Sequence, residues 1–302
     1  MRSILSVPGH IEKMHHKASN CNADVIMLDL EDSVPLPEKK AARNQVIKSL
    51  NSIDWHNKTI TVRINAIDSP FAYKEITDII ENAGKQVESI VIPKVNNSGD
   101  IHFVCRMLQG IELNKGYNHK TGIEASIETA QGLNNIKEIA RASERLKTLV
   151  FGIADYSASI GIKLTSISGH GEMEENIYPG HRWNFVLSRI VMTAKANNIL
   201  AIDSSYGNFK DIEGLKQASL IACSLGCDGK WVIHPDQIEP VNTVFTPSKF
   251  DIERASKVLK AHNKAKEKGL GAVAVDGRMV DQATIRMAKD LLKTFGSDFS
   301  TL

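Results

Sequence analysis

The chain has 302 residues, 42% of them hydrophobic and 24% charged, with a formal net charge of +2. That composition suits a globular enzyme and excludes a disordered or collagen-like chain. The near-neutral balance gives no broad field for nucleic acid or an anionic membrane surface. Four cysteines, Cys21, Cys105, Cys223 and Cys227, make no CxxC pair, so they read as core residues of a reducing compartment and not as a zinc site. The opening MRSILSVPGH breaks at Pro8-Gly9, too soon for a signal h-region, and no bilayer-length apolar run follows. The expectation is a cytoplasmic protein with no membrane partner.

Taken in order, Ser3 to Val7 is an apolar strand stopped by Pro8-Gly9, and a helix carrying Ile11, Met14 and Ala18 follows. Asp24 to Leu30 is nearly continuous in apolar residues, as buried parallel strands are, and it runs into Glu31-Asp32. A helix from Pro37 to Leu50 leads to a third strand, Thr59 to Asn65, which contains Arg63. Phe71 to Asn82 is helical, and Ser89 to Val95 is a fourth strand ending around Lys94. After a helix at 101–108, Ile123 to Ile127 ends on Glu128; Leu133, Ile136, Ile139 and Ala140 keep helical spacing; Thr148 to Ile153 ends just before Asp155.

Beyond Asp155 the pattern lapses into a long polar loop, 157–180, of the kind usually kept for function. Arg182 to Asn198 is helical, Ile199 to Asp203 a seventh strand, Ile212 to Leu225 a helix and Gly229 to His234 an eighth strand. Eight strand–helix units with short connections predict a (β/α)8 TIM barrel, an α/β fold, over 1–245. No GxGxxG or Walker turn supports a doubly wound sheet instead. Residues 246–302 exceed what a barrel needs: a charged helix 247–268, a strip 269–277 punctuated by Gly269, Gly271 and Gly277, and an amphipathic helix 281–295. This C-terminal helical extension is expected to act as a lid or an oligomer contact.

Strand C-termini form the catalytic face of such a barrel. Read there, Glu128 and Asp155 are two oxygen ligands for a hard cation such as magnesium, with water and substrate completing the shell. A plainer account has Glu128 capping one helix and Asp155 starting the next. Arg63 and Lys94 add positive charge, and Glu31, Asp32, Asp203, Ser204 and His234 complete the polar set. Arg63 has an ordinary alternative as ion-pair partner of Glu31 or Asp32. A cation beside a divalent metal suits a reaction in which negative charge develops on an oxygen, such as an enolate.

At these residues the sequence resembles the citrate-lyase-beta-like family of CoA-thioester lyases. The pieces are LSVPG (5–9), LDLEDSVPLPEKKAAR (28–43), VRIN (62–65), IPKV (92–95), IETAQG (127–132), FGIADYSASIG (151–161), GKWVIHPDQI (229–238) and VDGRMVD (275–281). YPGHRWNFVLSRIV (178–191) and GAVAVDGRMVD (271–281) look most like the malyl-CoA, methylmalyl-CoA and citramalyl-CoA lyases. The resemblance implies that Glu128 and Asp155 hold magnesium, that Arg63 contacts the thioester or enolate oxygen, and that Asp281 moves the proton at the acyl carbon. It also implies a homotrimer or hexamer in which the tail, with Asp281, covers a neighbouring subunit's site. Ser6 departs from the aromatic that many relatives carry in LSVPG.

The expected substrate is then a 3-hydroxyacyl-CoA, cleaved reversibly to acetyl-CoA or propionyl-CoA and a 2-oxo acid. Glu31, Asp32 and Lys94 are expected to line the substrate. Lys13 and Lys17 are candidates for the CoA phosphates, against the ordinary account of a solvated helix face. Two other readings stand beside this one. A citrate lyase beta subunit would need an acyl-carrier-protein thioester. A non-catalytic CoA-binding or scaffold barrel would lack some of Arg63, Glu128, Asp155 and Asp281, and all four are present.

Overall fold

The computed structural model describes residues 1–56, 58–162, 182–267 and 273–295. The chain divides into two units, Met1–Phe245 and Thr246–Leu302. In the first, β1 (Ser3–Pro8), β2 (Val25–Asp29), β3 (Thr59–Arg63), β4 (Ser89–Ile92), β5 (Gly122–Ile127), β6 (Leu146–Phe151), β7 (Leu200–Asp203) and β8 (Gly229–Val232) lie parallel in chain order. β8 pairs back onto β1, so the barrel is closed. The TIM barrel expected from the strand–helix count is what forms.

Strand alternation separates two packing surfaces. Ile26, Leu28, Val62, Ile90, Ile92, Ile123, Ala125, Leu149 and Phe151 point outward into the large core shared with the helices. Ile4, Val25, Met27, Val91, Val150, Ile202 and Trp231 alternate with them and fill the barrel. The covering helices include α1 (Glu12–Ser19), α2 (Lys39–Ser52), α3 (Ala72–Ala83), α4 (Ser98–Lys115), α8 (Asn184–Ala196), α9 (Ile212–Leu225) and α10 (Ile238–Val244). α4 opens on a capping box in which Asn97 and Asp100 satisfy each other's backbone amides.

Two expectations need correction. The helix after β5 is two short ones, α5 (Ala130–Asn134) and α6 (Ile136–Arg141), broken at Asn135. β6 ends at Phe151, and Ile153 already opens a helix, α7 (Ile153–Ser159), with Asp155 in its first turn. An acid is favourable there against the helix dipole. Most of the long polar loop and its motif at 178–181 lie outside the described residues.

The second unit holds α11 (Lys249–Glu267), β9 (Val273–Val275), β10 (Arg278–Val280) and α12 (Gln282–Phe295). Residues 273–280 are a hairpin, not an open strip: β9 and β10 pair antiparallel. Asp276 and Gly277 turn between them at φ 48° and 74°. A two-residue hairpin of type I′ needs both residues left-handed, and Asp-Gly is among the best pairs for it. Gly269 and Gly271 fall outside the described residues. Ala255, Val258, Val280, Ile285 and Ala288 form this unit's own core.

Two buried charged groups stand out in the barrel unit. Asp203 alternates with the inward Ile202, so it points outward and meets Lys230 at 2.6 Å, both fully buried. It is therefore not at the barrel mouth, as its strand-end position suggested. Glu124 faces inward at 2% exposure and bonds to Ser89. Burial, then the charge of Glu88, pushes its carboxyl up to about 7. A folded-state pKa above the unfolded value adds stability that is complete at low pH and lost as pH rises through the folded value. Glu124→Gln should therefore remove roughly 3 kcal/mol of pH-dependent stability between about pH 5 and 8. Urea unfolding at the two ends of that range measures it; an unchanged difference between them would exclude Glu124 as its source.

Candidate functional site

Register builds the site. Asp29 and Arg63 are paired neighbours on β2 and β3, both inward at the strand ends. Asp29 is fully buried and takes Arg63 by a two-pronged bond, Nε to Oδ1 at 2.7 Å and Nη2 to Oδ2 at 2.8 Å. Burial alone would raise the Asp29 carboxyl, but the Arg63 guanidinium holds it below the usual range. Asp29 also accepts from the amides of Glu31 and Ser33, which folds the chain over the strand end. Arg63 Nη1 lies 3.0 Å from Glu31 Oε2 and 3.8 Å from Asp32, and its guanidinium carbon sits 5.5 Å from the centre of the Trp231 ring. The Glu31 approach is an ion pair without hydrogen-bond geometry, since Glu31 Oε2 finds no bonding partner. Arg63 thus has a first partner, Asp29, that strand-end inspection passed over; alternation along β2 was the available signal.

Lys94 joins the two halves of the site. Its φ of 53° is left-handed, which a residue with a side chain adopts rarely and mostly where surroundings enforce it. The bend aims its amide at Glu128 Oε1 (2.6 Å) and its ammonium at Glu31 Oε1 (2.5 Å) and Asp155 Oδ2 (3.3 Å). Burial would lower the Lys94 pKa, but the bond to Glu31 and the surrounding carboxylates hold it above its ordinary value. Glu128 ends β5 on the inward side at 3% exposure. Burial first, then the charges of Glu31 and Asp155, push its carboxyl up to about 7. Glu128 caps nothing: Thr129 is the cap of α5, accepting from the Gly132 amide.

The donor set fits a hard divalent cation. Glu128 and Asp155 offer only oxygen, and five carboxylates (Asp29, Glu31, Asp32, Glu128, Asp155) share Arg63 and Lys94. Gly152 makes room for the arrangement. A Cβ there would stand 2.1 Å from Glu128 Oε2, so the bare glycine is where the carboxylate lies. Among the described residues no group of three or more His, Cys, Asp or Glu side chains encloses a metal. Water and substrate would have to supply the rest of the shell.

Other expected residues of the barrel unit stand apart, and Asp281 belongs to the second unit. Lys13 and Lys17 are exposed on α1, and no described contact ties them to the cluster. Ser204 Oγ accepts from the Ile153 amide, and His234 caps the short turn at Pro235–Gln237. Asp281 accepts from the Thr284 amide and hydroxyl and so caps α12. A cavity of about 690 Å³ lies around Thr121, Gly122 and Arg145 at the opposite, N-terminal end of β5 and β6. It is remote from this chemistry. A cleft of about 330 Å³ at Ile67, Pro93, Asn96 and Thr129 includes Lys94 and adjoins it.

The model of the HpcH/HpaI aldolase/citrate lyase family matches residues 2–235. An L-malyl-CoA/beta-methylmalyl-CoA lyase of Rhodobacter capsulatus is 38% identical over 97% of this chain and 93% of its own. A citrate lyase subunit beta of Leuconostoc mesenteroides subsp. cremoris is 34% identical over 97% and 92%. Among solved structures, CitE from Mycobacterium tuberculosis in complex with magnesium, acetoacetate and coenzyme A is 27% identical, covers 98% of both chains and has a TM-score of 0.76.

The carboxylate seat over Gly152 can be tested directly. Gly152→Ala should displace Glu128 and weaken magnesium binding by about 10–100-fold, the usual loss when a ligand's support is removed. Calorimetric titration with magnesium measures it, and circular dichroism checks that the fold persists. Unchanged affinity would mean that Glu128 does not hold the ion.

Proposed function

The chain belongs to the HpcH/HpaI aldolase/citrate lyase family, and from that premise we propose a magnesium-dependent carbon–carbon lyase acting on a 3-hydroxyacyl-CoA of the malyl, methylmalyl or citramalyl type. The observation that carries it is Arg63 fixed by Asp29 beside the carboxylates Glu128 and Asp155, with Lys94 between. Magnesium, held by Glu128 and Asp155, would draw charge from the oxygens of the 2-oxo acid half. As the hydroxyl loses its proton and becomes a carbonyl, the bond to the carbon beside the thioester breaks. Its electron pair moves into a thioester enolate. Arg63 is the group we assign to that oxyanion: Asp29 engages Nε and Nη2, and Nη1, which pairs with Glu31 at 3.0 Å without hydrogen-bond geometry, is the arm that would turn to the substrate. Lys94 would counter the substrate carboxylate, and its bond to Glu31 opposes the burial that raises the Glu31 carboxyl above its ordinary value.

The enolate carbon must then take a proton. Asp281 is our candidate for moving it, delivered in trans by the tail of a neighbour in a homotrimer or hexamer. The bonds from Thr284 hold its carboxyl below the usual range, so at neutral pH it is charged. It would remove the acyl-carbon proton in the condensing direction and return that proton in cleavage. Lys13 and Lys17 remain candidates for the coenzyme's phosphates, and a cytoplasmic location remains our expectation. The Leuconostoc relative keeps a second reading open, a citrate lyase beta subunit. An assay of the isolated protein with acetyl-CoA and propionyl-CoA against glyoxylate, pyruvate and oxaloacetate separates them, because a carrier-dependent subunit would use free CoA thioesters poorly.

Arg63→Lys keeps the charge but loses the fork. Its kcat should fall about 100- to 1000-fold, the usual effect of removing an oxyanion donor. Near wild-type turnover would make Arg63 structural. Exhaustive chelation should abolish turnover, with recovery on adding magnesium back.

Asp281→Asn still caps a helix but has no titrating carboxyl. It should melt like the parent and turn over about 100-fold or more slowly. Mixed with Arg63→Ala under conditions of subunit exchange, it should regain part of the activity. No recovery despite proven exchange would place Asp281 in cis.

A further inference from the structure

Lys39 opens α2 and is 7% exposed. Its ammonium turns inward to the backbone. It donates to two backbone carbonyls, Leu30 O at 2.8 Å and Glu31 O at 2.6 Å. A buried ammonium is unfavourable unless its hydrogens and charge are answered. Here the two carbonyls take hydrogens, and Glu75, Asp29, Glu31 and Asp32 supply opposing charge. The same stretch is held from a second side. Asn65 Nδ2 donates to Leu30 O at 2.9 Å, and Asn65 is itself fixed by buried Glu75, which accepts from its amide at 2.8 Å and its side chain at 2.6 Å.

What is held this way is the segment that carries Glu31. Its carboxylate meets Lys94 Nζ on one oxygen and Arg63 Nη1 on the other. The Glu31 side chain is thus the only link described between the Arg63 and Lys94 halves of the mouth that touches both cations. Its aim depends on the backbone behind it.

We propose that Lys39 is a positioning residue: it fixes the backbone of Leu30 and Glu31 and so sets the Glu31 carboxylate between Arg63 and Lys94. This rests on the lyase reading above for its effect on rate, though not for its effect on structure. The test is a double-mutant cycle of Lys39→Met and Glu31→Gln, with rates taken per folded enzyme below the melting transition. Alone, Lys39→Met should lower kcat by about tenfold to hundredfold, the scale of a misplaced contact. In the Glu31→Gln background it should change kcat by no more than about twofold, because the residue it acts through no longer carries charge.

A purely structural lysine would lower the melting temperature and leave kcat per folded molecule alone; that result overturns the proposal, as do losses that multiply across the cycle. Hydrogen exchange gives a readout free of activity. The amides of Glu31, Ser33 and Val34 should exchange about tenfold faster in Lys39→Met, while those of β5 and β6 stay as they were. Unchanged exchange at the three overturns it. If Lys39→Met does not fold, Lys39→Arg, which keeps a charged donor, is read by the same two measurements. If the parent enzyme cleaves no CoA thioester, the lyase reading fails, and the exchange comparison still decides the role of Lys39.

Discussion

Asp29, Glu31, Asp32, Glu128 and Asp155 crowd into one partly dry mouth, where charges interact several times more strongly than in water. Left to themselves such groups stay protonated or push apart. Each cation around them answers part of that repulsion in a different way. Arg63 neutralises Asp29 with a fork that matches both oxygens, and this pair alone leaves a carboxyl below its ordinary range while fully buried. Lys94 reaches Glu31 and Asp155 only by taking a left-handed backbone. Glu128 has a backbone amide and no full cation of its own, and its carboxyl is the one pushed up to about 7. Burial raises the Glu31 carboxyl too, despite its two cations, but only the end of β5, beside Asp155, lacks a described cation partner, and a divalent ion there would relieve repulsion.

How much of this could be read from the chain depends on the kind of signal each residue leaves. Eight apolar runs separated by helical spacing gave the barrel, because parallel strands buried on both faces have to be apolar. Arg63, Lys94 and Glu128 were visible because a charged residue at the end of such a run is conspicuous. Asp29 was less so: it sits inside LDLED, and only alternation along β2 and its pairing with Arg63 show which of three neighbouring acids points inward. Asp203 misled for the same reason, since one step of alternation turns it outward to Lys230. Lys39 stands unremarked in the helix that starts at Pro37, and its burial is a tertiary fact. The hairpin at 273–280 did carry a local signal, the Asp276-Gly277 turn, but three-residue strands are too short to show a period of two.

On the proposed lyase reading a 2-oxo acid would bring a further negative charge into this mouth, which bears on how the residues must divide the work. Arg63 is already half engaged by Asp29, and Lys94 is engaged by two carboxylates. Neither is a free cation waiting for an anion. Substrate binding therefore has to exchange existing ion pairs, or arrive with a metal that adds positive charge. The first route loses what it gains; the second does not. This makes the ordering of Glu31 more consequential than its distance from any reacting bond suggests, because it decides how much of each cation's charge is left over.

Glu124 and Glu128 stand on the same inward face of β5, four residues apart, and both carboxyls are pushed up to about 7. Their surroundings nevertheless make them independent. Glu124 owes its shift to burial and to Glu88, and it lies among Ser89, Thr61 and Thr148 in the lower half of the barrel. Met27, Val91, Val150 and Trp231 close the interior as an apolar layer. Glu128 owes part of its shift to Glu31 and Asp155, charges that a bound cation would offset. Loading the mouth with metal should thus lower one carboxyl and leave the other, so that the pH dependence of stability below the apolar layer and that of chemistry above it are set by different residues on one strand.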